Sequence, residues 1–136
     1  MSEYILETRN LIMRFGGLVA TNNVSINCRK NEIVGLIGAN GAGKTTLFNQ
    51  ISGQLKPDSG EVIFQGKEIQ GCSPHQACRM GIGRTHQIVQ PFADLTVLEN
   101  VMVGALLKHS NVSVAREKVD VILEQVGLVY RCDVKG

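Results

Sequence analysis

The sequence predicts an α/β fold whose first two-thirds is rich in strands, with an antiparallel β edge, and whose last third is helical. Three observations carry this reading. Two partly alternating apolar–polar stretches, 5–15 and 19–29, meet at Gly16-Gly17, as expected for a hairpin at a sheet edge. A nearly continuous apolar run (Ile33, Val34, Leu36, Ile37) passes through a glycine-rich turn into an amphipathic segment. Beyond Pro91 the spacing becomes helical and is introduced by Thr96-Val97-Leu98-Glu99, the pattern in which a threonine hydroxyl and a glutamate carboxylate satisfy each other's free backbone N–H groups.

The elements follow in order. The run within 32–37 is expected to be a parallel strand covered on both faces, because it lacks alternation. A helix is expected over 44–52, with Leu47, Phe48 and Ile51 on one face, Gly53 at its C-cap and Pro57 preventing continuation. A short strand is expected over 61–65, a short helix over 74–80 ended near Gly81, and a weak strand over 83–87. The last third reads as one helix from Thr96 to about Leu107. A second begins after Ser113, with Ala115, Val119, Ile122, Leu123 and Val126 spaced for one buried face and Gly127 at its end.

Composition removes several functions. Lys and Arg total 14 against 12 for Asp and Glu, with no basic run, so an electrostatic footprint for nucleic acid is missing. No stretch approaches the ~18 apolar residues that span a bilayer, and Met1-Ser2-Glu3-Tyr4 does not resemble a secretion signal. A cytoplasmic location is expected, with any membrane link supplied by a partner. Cys28, Cys72, Cys78 and Cys132 form no CxxC pair and are expected to be reduced thiols.

Gly38-Ala39-Asn40-Gly41-Ala42-Gly43-Lys44-Thr45 matches GxxxxGK[ST] in full, the phosphate-binding P-loop. A triphosphate concentrates several negative charges, and successive backbone N–H groups can surround one phosphate only where the chain wraps tightly. Gly38, Gly41 and Gly43 permit that wrap, with Asn40 and Ala42 completing the loop. Lys44 is expected to reach the β- and γ-phosphates and the Thr45 hydroxyl to ligate Mg²⁺. Thr46 is placed to add a hydroxyl toward the α-phosphate, and the helix dipole points at the anion. The bare pattern arises by chance in roughly one chain of this length per hundred or two. Here it also follows an apolar run and opens an amphipathic helix, which sets aside a ligand-free glycine turn. The expected fold class is therefore a P-loop nucleoside triphosphatase core. The loop leaves the reaction open: a guanine-reading Asn-Lys-x-Asp is absent, and a metabolite kinase would need a second substrate site that the residues do not offer.

The surroundings narrow the choice. Phe15-Gly16-Gly17-Leu18-Val19-Ala20, the stretch from Glu32 through the P-loop to Thr46, and Ser59-Gly60-Glu61 resemble ATP-binding cassette ATPases. Gly81-Ile82-Gly83-Arg84-Thr85-His86-Gln87, followed by Leu95-Thr96-Val97-Leu98-Glu99-Asn100-Val101, is similar to the ATPases of branched-chain amino acid importers; importers of urea or other amides have similar segments. The resemblance implies a nucleotide-binding core over 1–93 and the start of a helical subdomain over 94–136, which docks on a transmembrane permease. It implies that Phe15 stacks on adenine, against the alternative of a phenylalanine buried at a strand end. Gln87 is implied to approach Mg²⁺ and the attacking water and to couple the site to the permease. Lys44 and Gln87 would thus be the catalytic residues, and Thr45 and Gln87 the metal-facing ones. His86 stands where the family usually has Phe and reads as a packing variant.

The family's signature segment, its apolar strand ending in Asp-Glu and its switch histidine do not occur in these residues. The resemblance therefore implies the N-terminal part of such a subunit, as a fragment or a truncated product. Two functions remain open. In the first, the full-length protein hydrolyses ATP with a second ATPase subunit, identical or not. It acts at the cytoplasmic face of the membrane and drives solute uptake, with an external solute-binding protein as an indirect partner. In the second, the 136 residues form a non-hydrolysing nucleotide-binding or interaction module.

Overall fold

A computed structural model describes residues 3–136. The chain forms two compact units, one ending at Arg84 and the other covering Thr85–Gly136.

The first unit is built on a long strand, β1 (Tyr4–Phe15), which carries antiparallel partners on both edges. On one edge lie β2 (Leu18–Val24) and β3 (Asn27–Arg29); on the other lies β4 (Ser59–Phe64), which in turn pairs with β5 (Lys67–Glu68). The Gly16-Gly17 turn closes the β1–β2 hairpin, with Phe15 opposite Leu18 and Arg14 opposite Val19. The second expected strand is split in two. Asn23 adopts a left-handed backbone (φ 54°), and so does Asn10 on β1 (φ 50°), a conformation Asn tolerates better than most residues. Across this irregularity Thr8 accepts the Ile26 N–H on its hydroxyl (3.0 Å), and Ser25 Oγ accepts the Asn10 N–H (2.9 Å). Side chains thus replace the ladder where the strand breaks.

Helix α1 (Lys44–Ile51) packs its Leu47 and Ile51 with Leu11, Val62 and Ile69 into the core of this unit, each such side chain contributing about 2 kcal/mol of burial. Phe48 departs from the expected face and is half exposed. The i, i+3, i+4 stripe that reaches the core is Leu47, Gln50 and Ile51. Gln50 is 2% exposed and accepts the Thr21 hydroxyl at 3.3 Å, while its Nε2 has no partner among the described residues. The turn after α1 is also tighter than expected, with Ser52 at the C-cap and Gly53 following at φ 77°. Helix α2 (Pro74–Met80) has the expected bounds and is opened by a reciprocal Ser73–Gln76 cap, an S-x-x-Q signal legible in the sequence.

Two expected strands are absent. Residues 32–37 form no strand, and Ile33 and Ile37 are 99% and 97% exposed. A parallel strand needs a neighbour to pair its backbone, and no strand lies beside this run among the described residues. Residues 83–87 likewise form no strand.

The second unit holds α3 (Val97–Leu106) and α4 (Val112–Gln125). Helix α4 begins slightly earlier than expected, because Asn111 caps it by accepting the Ser113 and Val114 N–H groups (2.9 and 3.4 Å). Ala115, Val119 and Leu123 are buried as expected, whereas Ile122 and Val126 lie outside that stripe and are exposed. Gly127 turns left-handed (φ 68°) to end the helix. The chain then returns through a 3₁₀ turn (Val129–Arg131) to the start of α3, where Val97 and Leu98 N–H donate to the Val134 and Cys132 carbonyls (2.8 and 3.0 Å).

The N-terminus of α3 carries the expected capping box. Glu99 Oε2 accepts the Thr96 N–H at 2.7 Å and the Thr96 hydroxyl at 2.9 Å, and the Glu99 N–H donates back to Thr96 Oγ1 at 3.2 Å. The backbone bond from Thr96, then its hydroxyl, hold the Glu99 carboxyl below its ordinary value of 4.5. A value depressed in the folded state means that the box stabilises fully above pH 4.5 and that this contribution is lost as pH falls through the lowered value. Glu99→Gln should flatten the acid limb of a plot of Tm against pH below about 4.5, read by circular dichroism; an unchanged acid slope would mean that the carboxylate contributes nothing there.

Candidate functional site

The P-loop residues sit in the first unit, where Gly38 to Gly43 deliver the chain into α1. Gly41 and Gly43 both adopt φ 81°, and the Ala42 N–H closes a turn on the Ala39 carbonyl at 3.2 Å. Gly43 has a second requirement. A Cβ built there would lie 2.0 Å from the Ala20 carbonyl oxygen of β2, so only glycine lets the loop rest against that strand.

Helix α1 starts directly after this contact. Its N-cap, Gly43, supplies no side-chain acceptor, and the first turn has no acidic residue. The first intrahelical bond runs from the Leu47 N–H to the Gly43 carbonyl at 2.9 Å. The N–H groups of Lys44, Thr45 and Thr46 thus belong to the set that a helix start leaves unpaired, and the positive end of the dipole adds to them. Lys44 folds back over the loop, its Nζ donating to the Gly38 and Ala39 carbonyls at 2.6 Å each. Thr45 is exposed and Thr46 half-buried. Unpaired amides, an ammonium and two hydroxyls thus lie within a few residues at the start of one helix, a chemistry that suits an anion with several oxygens.

A cleft of about 270 Å³ adjoins the loop, lined by Val19, Thr21 and Val24 of β2 and by Ala42, Gly43 and Lys44. Phe15 is tied to it through the hairpin register, since its partner Leu18 directly precedes the lining residue Val19. At 48% exposure Phe15 is not a buried strand end, and its ring has an open surface for a flat apolar partner. Asn40 lies exposed at the loop tip. Gln87 belongs to the second unit, exposed in a bend three residues past Arg84.

No group of three or more His, Cys, Asp or Glu side chains suited to a metal occurs among the described residues. The donor set at the P-loop fits Mg²⁺ only as an ion carried in with phosphate, because the Thr45 hydroxyl could offer one oxygen and the phosphates and water would supply the others. One feature escaped the sequence reading. Arg84 Nη1 donates to Asn49 Oδ1 (2.6 Å), Ser52 Oγ (2.9 Å) and Gln54 Oε1 (3.0 Å) at the C-terminal end of α1. Its partners are 30 to 35 residues away in sequence, beyond any local pattern.

Fold and loop together define a P-loop nucleotide-binding protein of the cassette type. A sequence profile of the family described as ABC transporter matches residues 21–135, and the chain belongs to that family. It is 48% identical over 104 residues to the high-affinity branched-chain amino acid transport ATP-binding protein LivG of Salmonella typhimurium, a match covering 76% of this chain and 41% of that protein. It is 45% identical over 111 residues to BraF of Pseudomonas aeruginosa, which bears the same description, covering 82% of this chain and 43% of that protein. The chain thus spans about two-fifths of the length of these relatives. Among solved structures it resembles a nucleotide-free ATP-binding cassette from an ABC transporter (TM-score 0.81, 36% identity, 97% of this chain and 57% of that one). It also resembles an ATP-binding cassette of an ABC transporter in its ADP conformation (TM-score 0.81, 35% identity, 98% of this chain and 58% of that one).

The two left-handed glycines of the loop separate two costs. Gly41→Ala meets nothing within 4 Å and should lose about 1–2 kcal/mol through the backbone alone. Gly43→Ala adds a clash of the new Cβ with the Ala20 backbone carbonyl that no rotamer relieves and should cost clearly more, or unseat α1. Urea unfolding of the two variants checks the order; equal losses would mean that the Ala20 contact does not constrain the fold.

Proposed function

We propose that this chain is the nucleotide-binding part of the ATPase subunit of an importer, and that the full-length protein couples ATP binding and hydrolysis to uptake of branched-chain amino acids. The observation that carries the proposal is the uncapped start of α1, which follows left-handed Gly41 and Gly43 and has the Lys44 ammonium folded back over the loop. The likeness to LivG and BraF, both branched-chain amino acid transport ATP-binding proteins, supports the importer and its solute class; urea, amides or another amino acid are the alternative solutes.

The roles follow from the chemistry of each group. The amides at the loop and helix start hold the β-phosphate, and Lys44 offsets charge on the β- and γ-oxygens as it develops during in-line attack of water. Asn40 and Ala42 shape the loop, and Thr46 adds a hydroxyl toward the α-phosphate. Phe15 stacks on adenine. The Thr45 hydroxyl would hold Mg²⁺, which would supply charge neutralisation at the phosphates, and Gln87 would orient the attacking water. The core extends over 1–93 and the helical subdomain begins at 94, presenting a docking face for permease subunits. A second ATPase subunit completes the assembly, with a solute-binding protein acting through the permease. No helix among the described residues is long and apolar enough to cross a membrane; the proposed attachment, on the cytoplasmic side, is through those subunits.

For the 136 residues by themselves we propose nucleotide binding without turnover. The exposed Ile33–Ile37 run favours this reading, since the segment that precedes the loop forms no strand and the sequence carries no Asp-Glu strand to supply a base.

Titration of the ¹⁵N-labelled chain with MgATP should shift the amides of Gly41, Gly43 and Lys44. Lys44→Ala should weaken binding by about 10- to 100-fold, the worth of a charge-assisted hydrogen bond. Undisturbed amides in a folded sample would end the proposal, and phosphate release at an ordinary enzymatic rate would overturn the non-turnover reading of the chain alone.

A further inference from the structure

Resting on the proposed nucleotide site, we infer that Arg84 is a positioning residue for Gln87. It pins the exit of the chain from the first unit to the helix that carries Lys44. The Arg84 Nη1 contacts reach three oxygens, those of Asn49, Ser52 and Gln54, within 3.0 Å. One nitrogen carries two hydrogens, so the three contacts are shared in a bifurcated arrangement. Ser52 passes the interaction on, its own hydroxyl donating to the Phe48 carbonyl of α1 at 2.8 Å. The clamp is therefore continuous with the backbone of the helix.

No ladder holds the segment that follows. Residues 82–86 have no regular secondary structure, Gln87 sits in a bend, and 85–90 are exposed. With neither pairing nor burial to fix it, such a segment takes its position from its ends. Three peptide units separate Arg84 from Gln87, and an extended chain covers at most about 3.6 Å per residue, so the Gln87 Cα stays within about 11 Å of the Arg84 Cα. Fixing Arg84 confines Gln87 to that radius around a point tied to the C-terminal end of α1. Freeing it lengthens the tether and spreads the positions Gln87 can occupy. The P-loop makes none of these contacts, so phosphate binding should survive loss of the clamp while the alignment of Gln87 does not.

The test uses the 136-residue chain, ¹⁵N-labelled, as wild type, Arg84→Ala, Arg84→Lys and Asn49→Ala. In the wild type MgATP should shift the P-loop amides and the Gln87 side-chain amide. In Arg84→Ala the backbone order parameters of Thr85 to Gln87 should fall from the rigid range near ~0.85 toward or below ~0.6. The Gln87 side-chain shift should be lost, while the affinity read at Gly41, Gly43 and Lys44 stays within about twofold (under ~0.5 kcal/mol). Arg84→Lys, whose ammonium has three donors for the same oxygens, should keep most of the order; Asn49→Ala should fall between and guards against a global loss of fold in Arg84→Ala. Order at 85–87 unchanged in Arg84→Ala and Asn49→Ala, or a wild-type Gln87 that ignores MgATP while the P-loop responds, overturns the positioning role. A wild-type P-loop that does not respond overturns the nucleotide site, and the order parameters still report separately whether the clamp holds the segment.

Discussion

The approach of Gly43 to the Ala20 carbonyl is the contact on which the rest of the site depends. It sets how closely the start of α1 rests on β2, and so where the free N–H groups of that helix point. A methyl group there would overlap a backbone oxygen at 2.0 Å, and backbone cannot rotate aside as a side chain can. The sequence thus builds the anion site by leaving atoms out. The N-cap has no side chain to occupy the first amides, and the first turn has no carboxylate to repel a phosphate. Most helices satisfy their first turn internally through Ser, Thr, Asp or Asn, as α2, α3 and α4 do here with Ser73, Thr96 and Asn111. Helix α1 is the exception among these four, and its unsatisfied start lies at the loop.

Lys44 shows how such a loop is held by a side chain of its own chain. A turn rich in glycine loses more conformational entropy on folding than any other, and its carbonyls would be left to solvent. The ammonium spans the turn and donates to the carbonyls of Gly38 and Ala39. An ammonium has three hydrogens, so two bonds to the loop leave one donor for an incoming phosphate oxygen. The cation can therefore brace the loop and meet the anion together, and binding does not have to begin by dismantling the brace.

Much of this was legible in the sequence, and the parts that were not share a physical cause. The P-loop, the helix behind it, the Gly16-Gly17 hairpin, the 74–80 helix and the Thr96–Glu99 box are local signals, each fixed by residues within a few positions of one another. The misread elements depend on distant partners. Residues 32–37 have the composition of a buried parallel strand, yet composition cannot pair a backbone, and β1 already has both of its edges occupied. The break between β2 and β3 comes from Thr8 and Asn10 on the facing strand. Phe48 and Gln50 exchange their expected places because the stripe that meets Leu11 and Val62 runs through 47, 50 and 51, a rotation that apolar spacing over eight residues defines poorly. Within the site, the loop residues were readable as a motif and Phe15 and Gln87 only through resemblance, while Arg84 offered no signal at all.

Arg84 also completes an electrostatic arrangement that neither α1 nor its flanks contain. The last turn of α1 has no basic residue, so the helix does not neutralise the negative end of its own dipole. The guanidinium of Arg84 arrives there from 30 or more residues away, at the end where a cation is favoured, by about 0.3–1 kcal/mol for a typical exposed charge. With the unpaired amides at the opposite end, a helix of eight residues, roughly 12 Å long, meets a guanidinium at one terminus and leaves a start that favours an anion at the other. Both ends act in the same sense on the aligned peptide groups between them. The polarity that makes the N-terminus attractive to phosphate is thus matched at the C-terminus by the residue from which the chain departs toward Gln87.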